Sequence, residues 1–319
     1  MTTEYIRHFG MVETPFARNH DPKWFYLSPQ YKEAVLKARW AVEENSGLSL
    51  IRGDFGQGKS YLIEYLMTQW AGQFGWNMAK LQNTTTIESP KMLLTEILAA
   101  FGLPASESTR DMTNRLETFL LKQAHDENKT VVLFIDEAQS IGGKAFAVLR
   151  DLLNLETRSK ILLQIVMAAS LKIDRKLEYY PALQSRIASV STLAPLTAKD
   201  TDALLLHRFC VARAADPFRI CSASAMSVIH YYTGGIPRDV LVVTEAALKE
   251  AFLQNSGNVQ PAHVEKAVKD LACRQPRAAK EKEKTLQKLT TVSAPSRPAF
   301  AAATSLRPQT FTPTLAKAA

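Results

Sequence analysis

The sequence is poor in several residue types that would place it at once. It has three cysteines, Cys210, Cys221 and Cys273, an odd number at no metal-ligand spacing. A disulfide framework and a Cys-based zinc site are therefore disfavoured. No run approaches the roughly 18 continuous apolar residues of a membrane helix, and MTTEYIRHFGMVETPF at the N-terminus lacks the apolar core of a signal peptide. The expectation is no membrane partner and a cytoplasmic location. What is present is ordinary for a soluble globular chain: 319 residues, 46% hydrophobic and 22% charged. That length fits two domains, or one large domain with a lid and a tail.

The net charge of +8 is unevenly spread. Residues 274–319 hold nine Lys/Arg against two Asp/Glu, which leaves thirty basic and twenty-nine acidic residues in 1–273. That last segment is rich in Ala, Pro, Thr, Ser and Lys, a composition that buries too little surface to offset its ordering entropy. A disordered basic tail is expected from residue 276, either a solubilising extension or a binder of anions or partners.

Residues 1–30 combine turn signals with Phe9, Phe16, Trp24, Phe25 and Tyr26, and read as an ordered irregular arm. Ser28-Pro29 starts a helix, Ser28 as N-cap, that Gly47 ends. Strands are expected over 48–52, 76–82, 130–135 and 161–168. Helices are expected over 61–73, 89–101, 112–125 and 145–155. After Pro195 the pattern is helical throughout: 198–214, 222–233, 237–254 and 261–272. The organisation is an arm (1–30), a parallel α/β domain (31–194), a helical lid (195–275) and the tail (276–319).

Gly53-Asp54-Phe55-Gly56-Gln57-Gly58-Lys59-Ser60 fits G-x-x-x-x-G-K-[ST], with a strand before it and a helix, from Tyr61, after it. Glycines allow positive φ, so successive backbone N–H groups can cradle phosphate, and the helix adds its positive end. Lys59 would reach the β- and γ-phosphates of ATP and Ser60 would ligate Mg2+. The second constellation is Val131-Val-Leu-Phe-Ile-Asp136-Glu137-Ala-Gln139, an acidic pair at the end of a buried strand. In a parallel sheet that end opens into the ligand crevice. Asp136 would hold Mg2+ through water, and Glu137 would activate the attacking water. Ser170, ending LLQIVMAAS, is either a capping serine or a sensor of the γ-phosphate. Arg186 is either a surface arginine or one acting across a subunit boundary. In Gly234-Gly235-Ile236-Pro237-Arg238 the glycines end one helix and Pro237 starts the next, with Arg238 on its first turn, where it could touch the γ-phosphate.

Taken in order, these motifs resemble those of an AAA+ ATPase, more narrowly of the ExeA-like/TniB-like branch. FGMVETPF, DPKWFYLSPQYKEAV, LRDLLNLET with RSKILLQIV, LAPLTAKDTDALLLHR and TGGIPRDV carry the likeness over about residues 8–272. The resemblance implies a P-loop αβα sandwich with a parallel sheet, a small C-terminal helical lid, ATP hydrolysis, and a homo-oligomeric ring or filament. It makes Arg186 the arginine finger, Arg238 the sensor 2 arginine, and the segment before Tyr31 the flank of the adenine. One departure stands out: Ala169-Ser170-Leu171-Lys172 replaces the Gly-Gln-Pro-Glu run, so Ser170 would have to replace the first sensor's amide. With no membrane helix and a basic tail, the expected function is ATP-dependent regulation of transposition on double-stranded DNA, with a transposase or target selector as partner. Expected phosphate contacts are Lys80, Thr84, Thr85, Thr86, Lys91, Lys144 and Arg150. The alternative is a secretion- or pilus-assembly ATPase acting through protein partners.

Overall fold

A computed structural model of the chain describes residues 4–16, 21–72, 75–158 and 160–272. The expected tail from residue 276 lies outside the described residues.

The phosphate-loop strand β1 (Leu48–Gly53), β2 (Trp76–Leu81), the acidic strand β3 (Thr130–Ile135), β4 (Leu163–Ala169) and β5 (Ile187–Leu193) form one parallel sheet in the order β2-β3-β4-β1-β5. Side chains alternate across a strand, so each buried strand feeds two cores. On β3, Val132 and Phe134 enter one core while Val131, Leu133 and Ile135 enter the other. The first core is closed by α2 (Pro29–Glu43) and α3 (Lys59–Trp70), the second by α4 (Pro90–Ala100), α5 (Thr109–His125) and α6 (Gly143–Leu153). The result is a three-layer α/β sandwich.

β5 was not expected from the sequence. Its sequence, IASVSTL, mixes small polar with apolar side chains, and it is a partly exposed edge. The Ser49 and Ser189 hydroxyls lie 2.8 Å apart across the β1–β5 pair. Short helices α7 (Lys172–Glu178) and α8 (Pro181–Gln184) connect β4 to β5 and were likewise not expected. The helix after the phosphate loop begins at Lys59, two residues before the expected start. Ser28 does occupy the N-cap position of α2, but its hydroxyl makes no capping bond. Ser89, Ser108, Thr197 and Ser222 do cap with their side chains.

The helical region comprises α9 (Ala198–Val211), α10 (Ala223–Thr233), α11 (Pro237–Leu253) and α12 (Pro261–Ala272). The arm, whose described residues include α1 (Glu4–His8) and a 3-10 turn (Pro22–Trp24), joins it: Tyr5, Ile6 and Phe9 share a core with Leu248 and Ala251 of α11. Arg208 of α9 is buried, donates to Pro15 O at 3.0 Å, and lies 5.7 Å from the Trp24 ring and 5.8 Å from the Tyr61 ring. Burial lowers the pKa of its guanidinium below the ordinary arginine value.

The turn into α11 is tightly constrained. Gly235 has φ +74°, and a Cβ there would collide with the carbonyl oxygen of Leu196, whose own N–H donates to Gly235 O at 2.8 Å. Gly235→Ala should therefore destabilise the fold by about 1–3 kcal/mol. Denaturant unfolding checks this; an unchanged midpoint would show that the turn relaxes freely.

Candidate functional site

β1 ends at Gly53 and the chain turns through residues 54–58 into α3. Gly56 (φ +81°) and Gly58 (φ +79°) take the left-handed conformation that glycine adopts without strain. The first turn-closing bond of α3 runs from Leu62 N–H to Gly58 O at 2.9 Å. The N–H groups of Lys59, Ser60 and Tyr61 thus have no acceptor within their own helix, and the N-cap glycine offers no side chain to cap them. This end of α3 suits an anion.

The loop is held from within. Gln57 is buried, and its Oε1 accepts the Asp54 N–H at 2.6 Å. Lys59 is only 6% exposed, and its Nζ donates to Gly53 O and Asp54 O, each at 2.9 Å. Tyr31 of α2 donates its hydroxyl to Gln57 O at 2.9 Å, and burial pushes its phenol pKa well up. Motif reasoning missed Tyr31, although the helix it sits on was expected. Phe25 packs edge-on to Tyr61 and tilted against Tyr31 and Tyr65, with ring centroids 5.0 to 5.1 Å apart, so the arm abuts the start of α3. Tyr61 also donates to Asp21 O at 2.6 Å.

The lid meets this loop directly. Arg238 N–H donates to Gly56 O at 3.2 Å, and the guanidinium lies 4.6 Å from the Phe55 ring, which is 75% exposed. A Cβ at Gly56 would come within 2.8 Å of Ile236 Cγ2. Gly56 therefore serves two needs, its backbone conformation and the close approach of α11. Phe55 as the seat of Arg238 was not foreseen.

The acidic pair lies at the same edge of the sheet, with β4 between its strand and β1. Asp136 Oδ1 accepts the Glu137 N–H at 2.9 Å. Glu137 itself has φ +52°, a conformation uncommon for a side-chain-bearing residue and frequent at functional sites. Ser170 follows β4, the strand between the two motifs, and its buried hydroxyl has no hydrogen-bond partner among the described residues. Among the described residues no group of three or more His, Cys, Asp or Glu could hold a metal ion. A hydroxyl and one carboxylate, Ser60 and Asp136, fit Mg2+ only in the manner of nucleotide sites, where phosphates and waters complete the shell.

Arg186 is not brought to this site. It precedes β5, whose first residue Ile187 pairs with Leu48, while the loop follows Gly53 at the other end of β1. The separation is roughly 17–20 Å at 3.3 Å per residue. Its guanidinium donates to Asn154 Oδ1 at 2.7 Å.

Several expected DNA contacts are already engaged. Lys80 pairs with Glu64, Lys91 with Glu107 and Arg150 with Asp151. Thr84 is buried, and Thr86 donates to Asn83 O at 3.0 Å. Thr85 and Lys144 are exposed.

No helix among the described residues is long and apolar enough to cross a membrane. Residues 42–177 match the family described as "AAA domain". The chain is 30% identical over 259 residues to General secretion pathway protein A of Aeromonas hydrophila. That alignment takes in 80% of this chain and 46% of the relative, so the chain spans under half of that relative's length. Among solved structures, the fold is similar to the Aeropyrum pernix ORC2 protein (TM-score 0.60, 18% identity, 80% of this chain and 71% of that one). It is also similar to Cdc6p from Pyrobaculum aerophilum (TM-score 0.62, 14% identity, 82% and 72%). A third, the RuvB Holliday junction branch migration motor of Thermotoga maritima, gives a TM-score of 0.51 at 14% identity over 75% and 69%. Residues 42–177 thus match the AAA domain, and the fold is that of an α/β P-loop NTPase.

Proposed function

We propose that the chain is an AAA+ ATPase that binds and hydrolyses ATP as a homo-oligomer. The observation that carries this reading is the seating of Arg238 on Gly56 and Phe55. It ties the lid to the loop that would hold the phosphates. Gly53 to Ser60 cradle the β- and γ-phosphates, with the N–H groups at the start of α3 that lack helical acceptors as donors. Lys59 exchanges its carbonyl partners for phosphate oxygens. Mg2+, held by Ser60 and Asp136, supplies charge neutralisation on the phosphates when bound. Glu137 takes a proton from the attacking water, and Arg238 reports the γ-phosphate to the lid. Arg186, too far from its own loop to serve it, supplies positive charge to a neighbouring subunit's site.

Two kinds of partner fit this core. A protein partner in a secretion or pilus-assembly machine is favoured by the similarity to General secretion pathway protein A. Regulation of transposition on double-stranded DNA rests on the motif resemblance. Of its expected contacts, three cations are already paired to carboxylates, and Lys144, Thr85 and Thr86 are exposed. The Lys91 and Arg150 pairs are exposed and therefore weak, so those two cations can still exchange partners for phosphate, whereas the Lys80 pair is part-buried.

Lys59→Ala should abolish nucleotide binding by calorimetry. Glu137→Gln should bind ATP normally and turn it over about a hundredfold or more slowly; wild-type turnover there would remove the base assignment. Arg186→Ala should keep ATP affinity and lose about a thousandfold in the hydrolysis that depends on protein concentration; an equal loss in the dilute monomer would contradict action across subunits. For the DNA reading, filter binding with an ATP analogue should give affinity that falls with salt. No ATP-dependent affinity at low salt leaves the protein-partner reading alone.

A further inference from the structure

We propose that Gln139 is a positioning residue for Glu137, and that through it the end of β4 is connected to the hydrolytic carboxylate. The proposal rests on the reading of Glu137 as the base.

Gln139 lies on the single 3-10 turn Ala138–Ser140 that follows the acidic pair. Its side chain bridges two strands. Nε2 donates to Glu137 Oε2, and Oε1 accepts the backbone N–H of Ser170, beyond the end of β4, at 2.8 Å. The two partners agree on one amide orientation. A backbone N–H can only donate, and an ionised carboxylate can only accept. Flipping the amide would set donor against donor and oxygen against carboxylate, so Gln139 has one way to sit.

The turn beneath it is also fixed. Lys176 of α7 donates its ammonium to Gln139 O at 3.2 Å and to Ile141 O, and packs 4.6 Å from the Phe146 ring. Ser140 N–H donates to Glu137 O at 2.9 Å. The Glu137 backbone is thus held on both sides, by Asp136 and by the turn. Only its side-chain torsions remain, and the Gln139 amide restrains those.

Ser170 explains why this matters here. Its hydroxyl has no partner among the described residues, whereas its N–H does. The polar link from β4 to the acidic pair therefore runs through the Ser170 backbone and the Gln139 side chain. Where β4 ends in a serine, the amide comes from the neighbouring strand. A displacement of the β4 end would reach Glu137 through these two hydrogen bonds.

The test is steady-state and single-turnover hydrolysis by the full chain, with ATP affinity and thermal melting measured alongside. Gln139→Ala should lower kcat by about ten- to a hundredfold, with KM and ATP affinity within about threefold. Gln139→Glu keeps shape and the acceptor for Ser170 but replaces the donor with a second carboxylate; it should lose at least as much kcat with an unchanged melt. In the Glu137→Gln background, Gln139→Ala should cost nothing further, because the group it positions is gone. Unchanged kcat in Gln139→Ala, or losses that multiply in the double variant, would overturn the proposal while Glu137→Gln keeps its large loss of turnover. Wild-type turnover in Glu137→Gln would instead overturn the base assignment beneath it.

Discussion

The contact between the phosphate loop and the first turn of α11 is the constraint on which the remaining arrangement depends. A loop that offers backbone N–H groups to phosphate must have little side chain on its concave side. The same lack of side chain at Gly56 lets Ile236 and Arg238 come close. On the proposed reading, the loop is a ligand cradle as well as the docking surface for α11. The tight Gly235 turn against Leu196 sets the angle at which α11 arrives, and the stacking of Arg238 on Phe55 gives its guanidinium a defined resting place.

Around this contact the arm acts as a third party. Its aromatic residues fill the space between α3 and α9, and the buried Arg208 binds Pro15 O while lying against Trp24 and Tyr61. A buried cation with few partners is costly unless its surroundings are retained together. Loss of the arm would leave Arg208 without its carbonyl partner and Tyr31, Tyr61 and Tyr65 without Phe25. The arm, the phosphate-loop helix and the first lid helix are thereby coupled through shared side chains as well as through apolar area.

Much of this was legible in the sequence, for identifiable reasons. β3 reads as a strand because both its faces are buried, so its apolar run is unbroken. The phosphate loop reads from glycines whose spacing the chemistry dictates. The Gly234–Arg238 segment reads because helix ends have distinct signals. What stayed hidden depends on contacts distant in the chain. β5 is an edge whose serines pair with β1, so its pattern looked like a loop. Gln139 was visible as a residue, but its task is set by Ser170, 31 positions later. Tyr31 meets the loop 26 residues on, and Arg238 meets Phe55 from the far end of the domain. The distance of Arg186 from its own loop became measurable only with the β1–β5 register.

If the proposed function holds, phosphate loop and lid respond to nucleotide as one unit. Amide hydrogen exchange with and without Mg2+ and a non-hydrolysable ATP analogue tests it most directly. Residues 54–60 and the first turn of α11, including the Arg238 N–H, should gain protection together at the same analogue concentration. Protection confined to the loop, with the start of α11 exchanging as before, would contradict it.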